Sequence, residues 1–185
     1  STQFRSFLKE QGNKRNNYCF SSTMRFFLII SLFIFCSKAI AQDPTEQEKA
    51  ILQVINNFKI DPQAFLRNKV MPYIDENGLK SNRYARSLIR EMRDLEPMPA
   101  LSIDSSLQKM AKEFAVKSGN RGWFGHNNYK RRFDQYGKHL THDAENIQYG
   151  IKDPAEIVID LLIDQDVPSL GHRKNLLDPQ YTVIG

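Results

Sequence analysis

Gly171-His172-Arg173-Lys174-Asn175-Leu176-Leu177 packs an imidazole, two cations and a carboxamide into seven residues that end on two leucines. The glycine permits positive φ or close backbone approach. The histidine can titrate near neutrality or ligate a metal through a ring nitrogen. Arg173 can pair with an acid, Asp178 and Glu145 being candidates, and Asn175 can bond backbone in a turn. Working outward, the loop Asp164-Gln165-Asp166-Val167-Pro168-Ser169 leads into this stretch. Before the loop, Asp153-Pro154 with Glu156 three residues after the cap starts a helix that buries Ile157, Val158, Leu161 and Leu162. Two more polar groups lie upstream: Ala144-Glu145-Asn146-Ile147, whose continuation to Tyr149 alternates as a short strand does, and Trp123-Phe124-Gly125-His126. All four histidines fall between positions 126 and 172.

Apolar spacing predicts three further helical regions. One starts at Thr45, with Glu48 completing a capping box and Ile51, Leu52, Ile55 and Phe58 on one face, and Asp61-Pro62 restarts a turn or short helix. A second runs from Ser81 through Tyr84, Leu88, Met92 and Leu95 until Pro97 and Pro99 stop it. A third follows Asp104, carries Leu107, Met110, Ala111, Phe114 and Ala115, and is expected to cap at Gly119. Tyr181-Thr182-Val183-Ile184 reads as a strand. The class is therefore mixed α and β, with helices flanking a small sheet.

The stated net charge of +5 is concentrated at the start of the chain. Residues 1–41 hold six Lys and Arg against the single acid Glu10, whereas Gln42–Gly185 holds 20 of each sign. That neutrality argues against a nucleic-acid partner. Met24-Arg25, the apolar run Phe26 to Cys36 and Ala39-Ile40-Ala41 form the pattern of a secretory signal peptide over 24–41, cleaved before Gln42. Eleven residues are too few for a bilayer core, which takes about 20, so the processed chain is not expected to span a membrane. Residues 1–23 are a polar extension, consistent with an over-extended gene start. Both cysteines, Cys19 and Cys36, fall in the segment expected to be lost, which leaves a domain at 42–185 without disulfide or thiolate.

The ordered set His126, A-E-N-I at 144–147 and G-H-R-x-N-L-L at 171–177 resembles the CAP superfamily of SCP-like extracellular proteins. It is similar in particular to the compact cysteine-free bacterial and protist branch. Asn56-Asn57-Phe58-Lys59-Ile60-Asp61-Pro62 and Leu101-Ser102-Ile103-Asp104 extend the likeness over about residues 47–185. The resemblance implies an α-β-α sandwich with a small, mainly antiparallel sheet. It also implies a glycine-rich turn and a last central strand past Tyr181, absent here, so that the expected fold lacks its last strand and has an open core.

The resemblance further implies a cleft lined by His126, Glu145 and His172, with a fourth acid at Asp166 or Asp164; Asp134, Arg173 and Asn175 are further cleft candidates. Two imidazoles and one or two carboxylates could hold Zn²⁺ or another divalent metal. Two functions follow as expectations. The first is a secreted binding module whose partner is a lipid or sterol, a glycan or a protein. The second is a metal-assisted hydrolase using His126, Glu145 and His172. A Ser-His-acid hydrolase through Ser169 or Ser118 is the weaker enzyme reading, because neither serine sits in a G-x-S-x-G elbow. His139, His142 and the basic run Lys130-Arg131-Arg132 read as solvated loop residues, the run able to meet anionic lipid or glycan. Trp123, Phe124, Phe133 and Tyr136 read as core and rim packing.

Overall fold

The computed structural model describes residues 43–185. The leader expected at 24–41, the extension at 1–23 and both cysteines lie outside the described residues. Thr45 caps α1 (Glu46–Ile60) in the expected capping box, its hydroxyl accepting from Glu48 N while Glu48 reaches back to Thr45 N at 2.8 Å. Asp61 accepts from Ala64 N and opens α2 (Pro62–Phe65), which runs through a π-helical turn at Leu66–Val70 into α3 (Met71–Glu76). A single 3₁₀ turn at Leu79–Ser81 then leads to α4 (Arg83–Arg93). Its cap is Asn82, not Ser81, because the Asn82 carboxamide accepts from both Tyr84 N and Ala85 N.

Asp104 caps α5 (Ser105–Arg121) as expected, accepting from Ser106 N and Leu107 N at 2.9 Å. The helix passes the stop expected at Gly119 and ends at Gly122, which takes the left-handed conformation at φ 62°. Two glycines three residues apart offered two stops, and only the second adopts the left-handed turn that ends a helix. The basic run is no loop: Tyr129, Phe133 and Tyr136 share one face of α6 (Tyr129–Tyr136). Asp153 and Pro154 start α7 (Pro154–Ile163), and Gly171–Leu177 forms α8.

The sheet corrects the expectation of an antiparallel one. Strand β1 (Ser102–Ile103) pairs in parallel with β2 (Val183–Ile184), Ser102 opposite Val183 and Ile103 opposite Ile184. The segment 146–149 joins no ladder. Side chains hold it instead: Asn146 Nδ2 donates to His172 O, and Asn175 Nδ2 donates to Asn146 Oδ1 at 2.8 Å. The described residues are thus mainly helical with a minimal sheet, an α/β arrangement that does not by itself amount to a sandwich.

Two apolar clusters form the interior. The larger joins α1 to α4, α7 and α8 through residues such as Phe58, Val70, Leu88, Met92, Val158 and Leu162, each essentially inaccessible. The smaller is Leu107, Met110 and Phe133, flanked by Tyr129, Tyr136 and Val183. A cavity of about 730 Å³ lies between them, with Met110, Phe114 and Phe133 on one wall and Ile157, Leu161 and Leu176 on the other.

Arg173, 1 % exposed, ties the larger cluster together. Its Nε donates to Leu162 O at 2.6 Å and its Nη2 to Ile163 O and Tyr84 O, while Nη1 reaches Ser87 Oγ and Glu91 Oε2. All five guanidinium N–H groups are used, and two of them cap the last carbonyls of α7, which no helical N–H can reach. Its acid is therefore Glu91 rather than Asp178 or Glu145. At the other end of α8, buried Lys59 donates to Leu176 O and Asp178 O. Burial lowers the Lys59 pKa, with Asp178 opposing in part. Replacing Arg173 with Met strands the two last carbonyls of α7, Tyr84 O keeping its bond from Ser87 Oγ, and is expected to cost about 3 kcal/mol. Glu91→Gln, at a half-exposed partner, should cost under about 1 kcal/mol. Urea unfolding of the two variants checks the contrast.

Candidate functional site: two facing histidine–carboxylate pairs

His126 and His172 arrive from different elements and meet with ring centroids 6.4 Å apart and planes inclined by 32°. His126 lies in the loop between α5 and α6; His172 is the second residue of α8. The turns beside them hold residues other than glycine, as well as Gly125 (φ 77°), in left-handed backbone. Asn128 (φ 55°) follows His126 by two residues and Leu170 (φ 52°) precedes His172 by two, with Asp164 (φ 54°) and Asp166 (φ 61°) in the same loop as Leu170. Such conformations cost of order 1 kcal/mol each and persist where surrounding contacts impose them.

Each imidazole is held from behind by one carboxylate. His172 Nδ1 sits 2.7 Å from Asp164 Oδ1, while Asp164 Oδ2 accepts from the backbone N–H groups of His172 and Arg173. Asp164 is 3 % exposed and ends α7, so one residue closes that helix, starts α8 and aims the ring. On the other side His126 Nδ1 lies 2.7 Å from Glu145 Oε1. Arg132 grips the same carboxylate with both terminal nitrogens, Nη2 at 2.8 Å from Oε1 and Nη1 on Oε2. Arg132 is itself fixed by its Nε bond to Asn127 O and by lying 3.7 Å over the face of Phe114.

These bonds decide what each group can do. A carboxylate can only accept, so each ring carries a proton on Nδ1, and in the neutral ring Nε2 is the nitrogen with the lone pair. Burial alone would raise the Glu145 pKa. The hydrogen bonds from Arg132 and His126, with their charges, outweigh it and hold the carboxyl below the ordinary glutamate value. Tyr129 stands edge-on to His126 at 6.3 Å. Burial first, then Asp143, pushes its hydroxyl well above the usual phenol range, so it is a neutral wall of the site.

The structure brings together His126, Glu145, His172 and, as the fourth residue and second acid, Asp164. Asp166 is exposed and its carboxylate meets only Gln165 Nε2 at 3.4 Å, in the loop between α7 and α8. Asp134 lies exposed on α6, Arg173 is in the core, and Asn175 holds Asn146. Among the described residues no three His, Cys, Asp or Glu side chains gather as metal ligands. Ser118 is buried on α5 and its hydroxyl donates to Ala115 O rather than to an imidazole. His139 pairs with Asp104, steadying the α5 cap, and His142 is exposed.

Arg132 and Tyr129 were not legible as site residues. The repeat Tyr129, Phe133, Tyr136 is the helical signal that could have placed Arg132 on the inward side of α6. Because the folded Glu145 carboxyl titrates below its unfolded value, its stabilisation is complete above the ordinary glutamate range and lost as pH falls through the folded-state value. Arg132→Met should therefore lose about 2 kcal/mol at pH 7. That deficit should narrow below about pH 4. Denaturation midpoints at several pH values test both statements.

Comparison with known proteins places this geometry in a family. The model for the CAP, or cysteine-rich secretory protein, family matches residues 86–185. An "Uncharacterized protein YkwD" of Bacillus subtilis (strain 168) is 34 % identical over 101 residues, which cover 52 % of this chain and 36 % of that protein. The chain thus matches about a third of that relative's length, and no solved structure matches it. Every residue of the two histidine–carboxylate pairs falls within the family match, and α1 to α3 fall before it. The chain belongs to the CAP family of cysteine-rich secretory proteins.

Proposed function

We propose that this CAP domain is an exported binding module whose cleft takes a divalent cation between His126 and His172. The observation that carries the reading is the pair of imidazoles at 6.4 Å, each with Nδ1 on a carboxylate. A carboxylate behind the ring is the usual outer support of a metal-binding histidine, fixing the tautomer and raising the basicity of the ligating nitrogen. Glu145 and Asp164 have their oxygens engaged and serve in that outer role. Two protein nitrogens suit an exchangeable, water-completed ion rather than a closed structural zinc, which takes four protein ligands. The family's secretory description and the leader read at 24–41 support export. Among the described residues no helix is long and apolar enough to cross a membrane.

Calorimetric titration of the whole chain with Zn²⁺ is expected to show one site, lost in His126→Ala and in His172→Ala and retained in Asp166→Ala. Binding that survives both histidine replacements would overturn the reading. Chelator-sensitive hydrolysis of peptide or ester substrates, abolished in His126→Ala, would replace it with the metal-assisted hydrolase.

A further inference from the structure

The neutrality of Gln42–Gly185 conceals an uneven distribution of charge. Residues 109–138, which span α5 and α6, carry eight Lys and Arg against two acids, while the remainder of Gln42–Gly185 carries twelve against eighteen. Of the eight, Arg132 is neutralised by Glu145 and Lys109 stands 4.0 Å from Glu113. Lys117, Arg121, Lys130 and Arg131 are exposed.

Apolar side chains are exposed on the same lobe. Phe124 is 75 % exposed at the tip of the turn between the glycines Gly122 and Gly125, and it packs on half-exposed Tyr149 with centroids 5.0 Å apart. The Tyr149 hydroxyl accepts from Gly125 N at 2.8 Å, which braces the tip. Next to Phe124, the Trp123 ring lies 4.7 Å from the Arg121 guanidinium and 5.8 Å from the Lys117 ammonium. Val116, 58 % exposed, precedes Lys117 on α5. Lys130 and Arg131 occupy the first turn of α6, whose approach is tied to the tip by Asn127 Nδ2 donating to Phe124 O.

We infer that the α5–α6 lobe is a docking face for an anionic lipid bilayer, with Phe124 entering the interface and Lys117, Arg121, Lys130 and Arg131 meeting the headgroups. An exposed aromatic wedge with exposed cations on the helices either side of it satisfies both parts of such a surface: apolar area for the acyl boundary and positive charge for the anionic leaflet. A polynucleotide would use the charge but not the wedge. Phe124 and Tyr149 lean on one another at 54°, so they do not form a flat stacking platform for successive bases. The inference is independent of the cation cleft, since none of these residues holds His126 or His172.

The test is co-sedimentation of the whole chain with phosphatidylcholine vesicles, with and without phosphatidylglycerol. Binding to the neutral vesicles reports what the apolar run Phe26–Cys36 contributes; the six cations of residues 1–41 add an anionic preference of their own, so each variant is compared with the parent chain, which shares that segment. Anionic vesicles are expected to bind the chain more tightly, and added salt to weaken that binding. Lys117→Gln with Arg121→Gln should reduce partitioning about 25-fold. Lys130→Gln with Arg131→Gln, which leaves the Trp123 contacts alone, should do about the same. Phe124→Ser, at a side chain the core does not use, should cost about ten-fold. Equal binding to neutral and anionic vesicles, or no change in any of the three variants, overturns the proposal. Capture by single-stranded RNA or by a sulfated glycan without vesicle binding does so too. Zn²⁺ titration of the same variants should be unchanged, so that failure here is separable from failure of the cleft.

Discussion

The guanidinium of Arg173 is the constraint on which the described structure depends. Its donors end on the last two carbonyls of α7, on the backbone and hydroxyl of the first turn of α4 and on Glu91. Three helices are thereby set by one buried planar group that has no acceptor capacity and no neutral form near physiological pH. Because Arg173 adjoins His172, the group that fixes the helices also fixes where the imidazole emerges. Asp164 completes the arrangement: its backbone turns left-handed just where Arg173 takes the α7 carbonyls, and its side chain reaches forward to the α8 amides and the His172 ring.

The two imidazoles are presented by different means. His172 relies on a carboxylate that is itself held by backbone N–H groups, so no side chain other than Asp164 is needed to hold the ring. His126 relies on a chain of side chains, Phe114 and Asn127 holding Arg132, Arg132 holding Glu145, and Glu145 holding the ring. Either arrangement engages Nδ1 and leaves the same nitrogen, Nε2, clear of the carboxylate. The first is built into the helix junction, and the second into the packing of α6 on α5.

Much of this was legible in the sequence, for identifiable reasons. Caps at Thr45, Asp104 and Asp153 are local signals, since a side chain bonding an amide two or three residues ahead needs no distant partner. The three site residues His126, Glu145 and His172 stood out through the ordered motifs around them. The sheet was less legible, because pairing is a long-range choice: Ile103 and Ile184 meet across 81 residues of chain, and nothing in 146–149 says that the segment is held by the Asn146 side chain, on His172 O and Asn175, instead of by a strand ladder. The acid of His172 lay between Asp164 and Asp166 until the left-handed turn at Asp164 aimed its carboxylate back along α8. Arg132 was hidden because a run of three cations reads as solvated, whereas one of them faces the ring of Phe114.

The unequal size of the two apolar clusters has a consequence for how the cleft moves. His172 belongs to a block with sixteen buried apolar residues, and His126 stands beside one with three. Amide exchange in such a molecule is expected to be graded, with the small block opening by local fluctuations that the large block does not share. One jaw of the cleft is therefore a fixed anvil and the other a spring. A guest that bridges the rings tightens the spring, and part of its interaction energy goes into that ordering rather than into affinity.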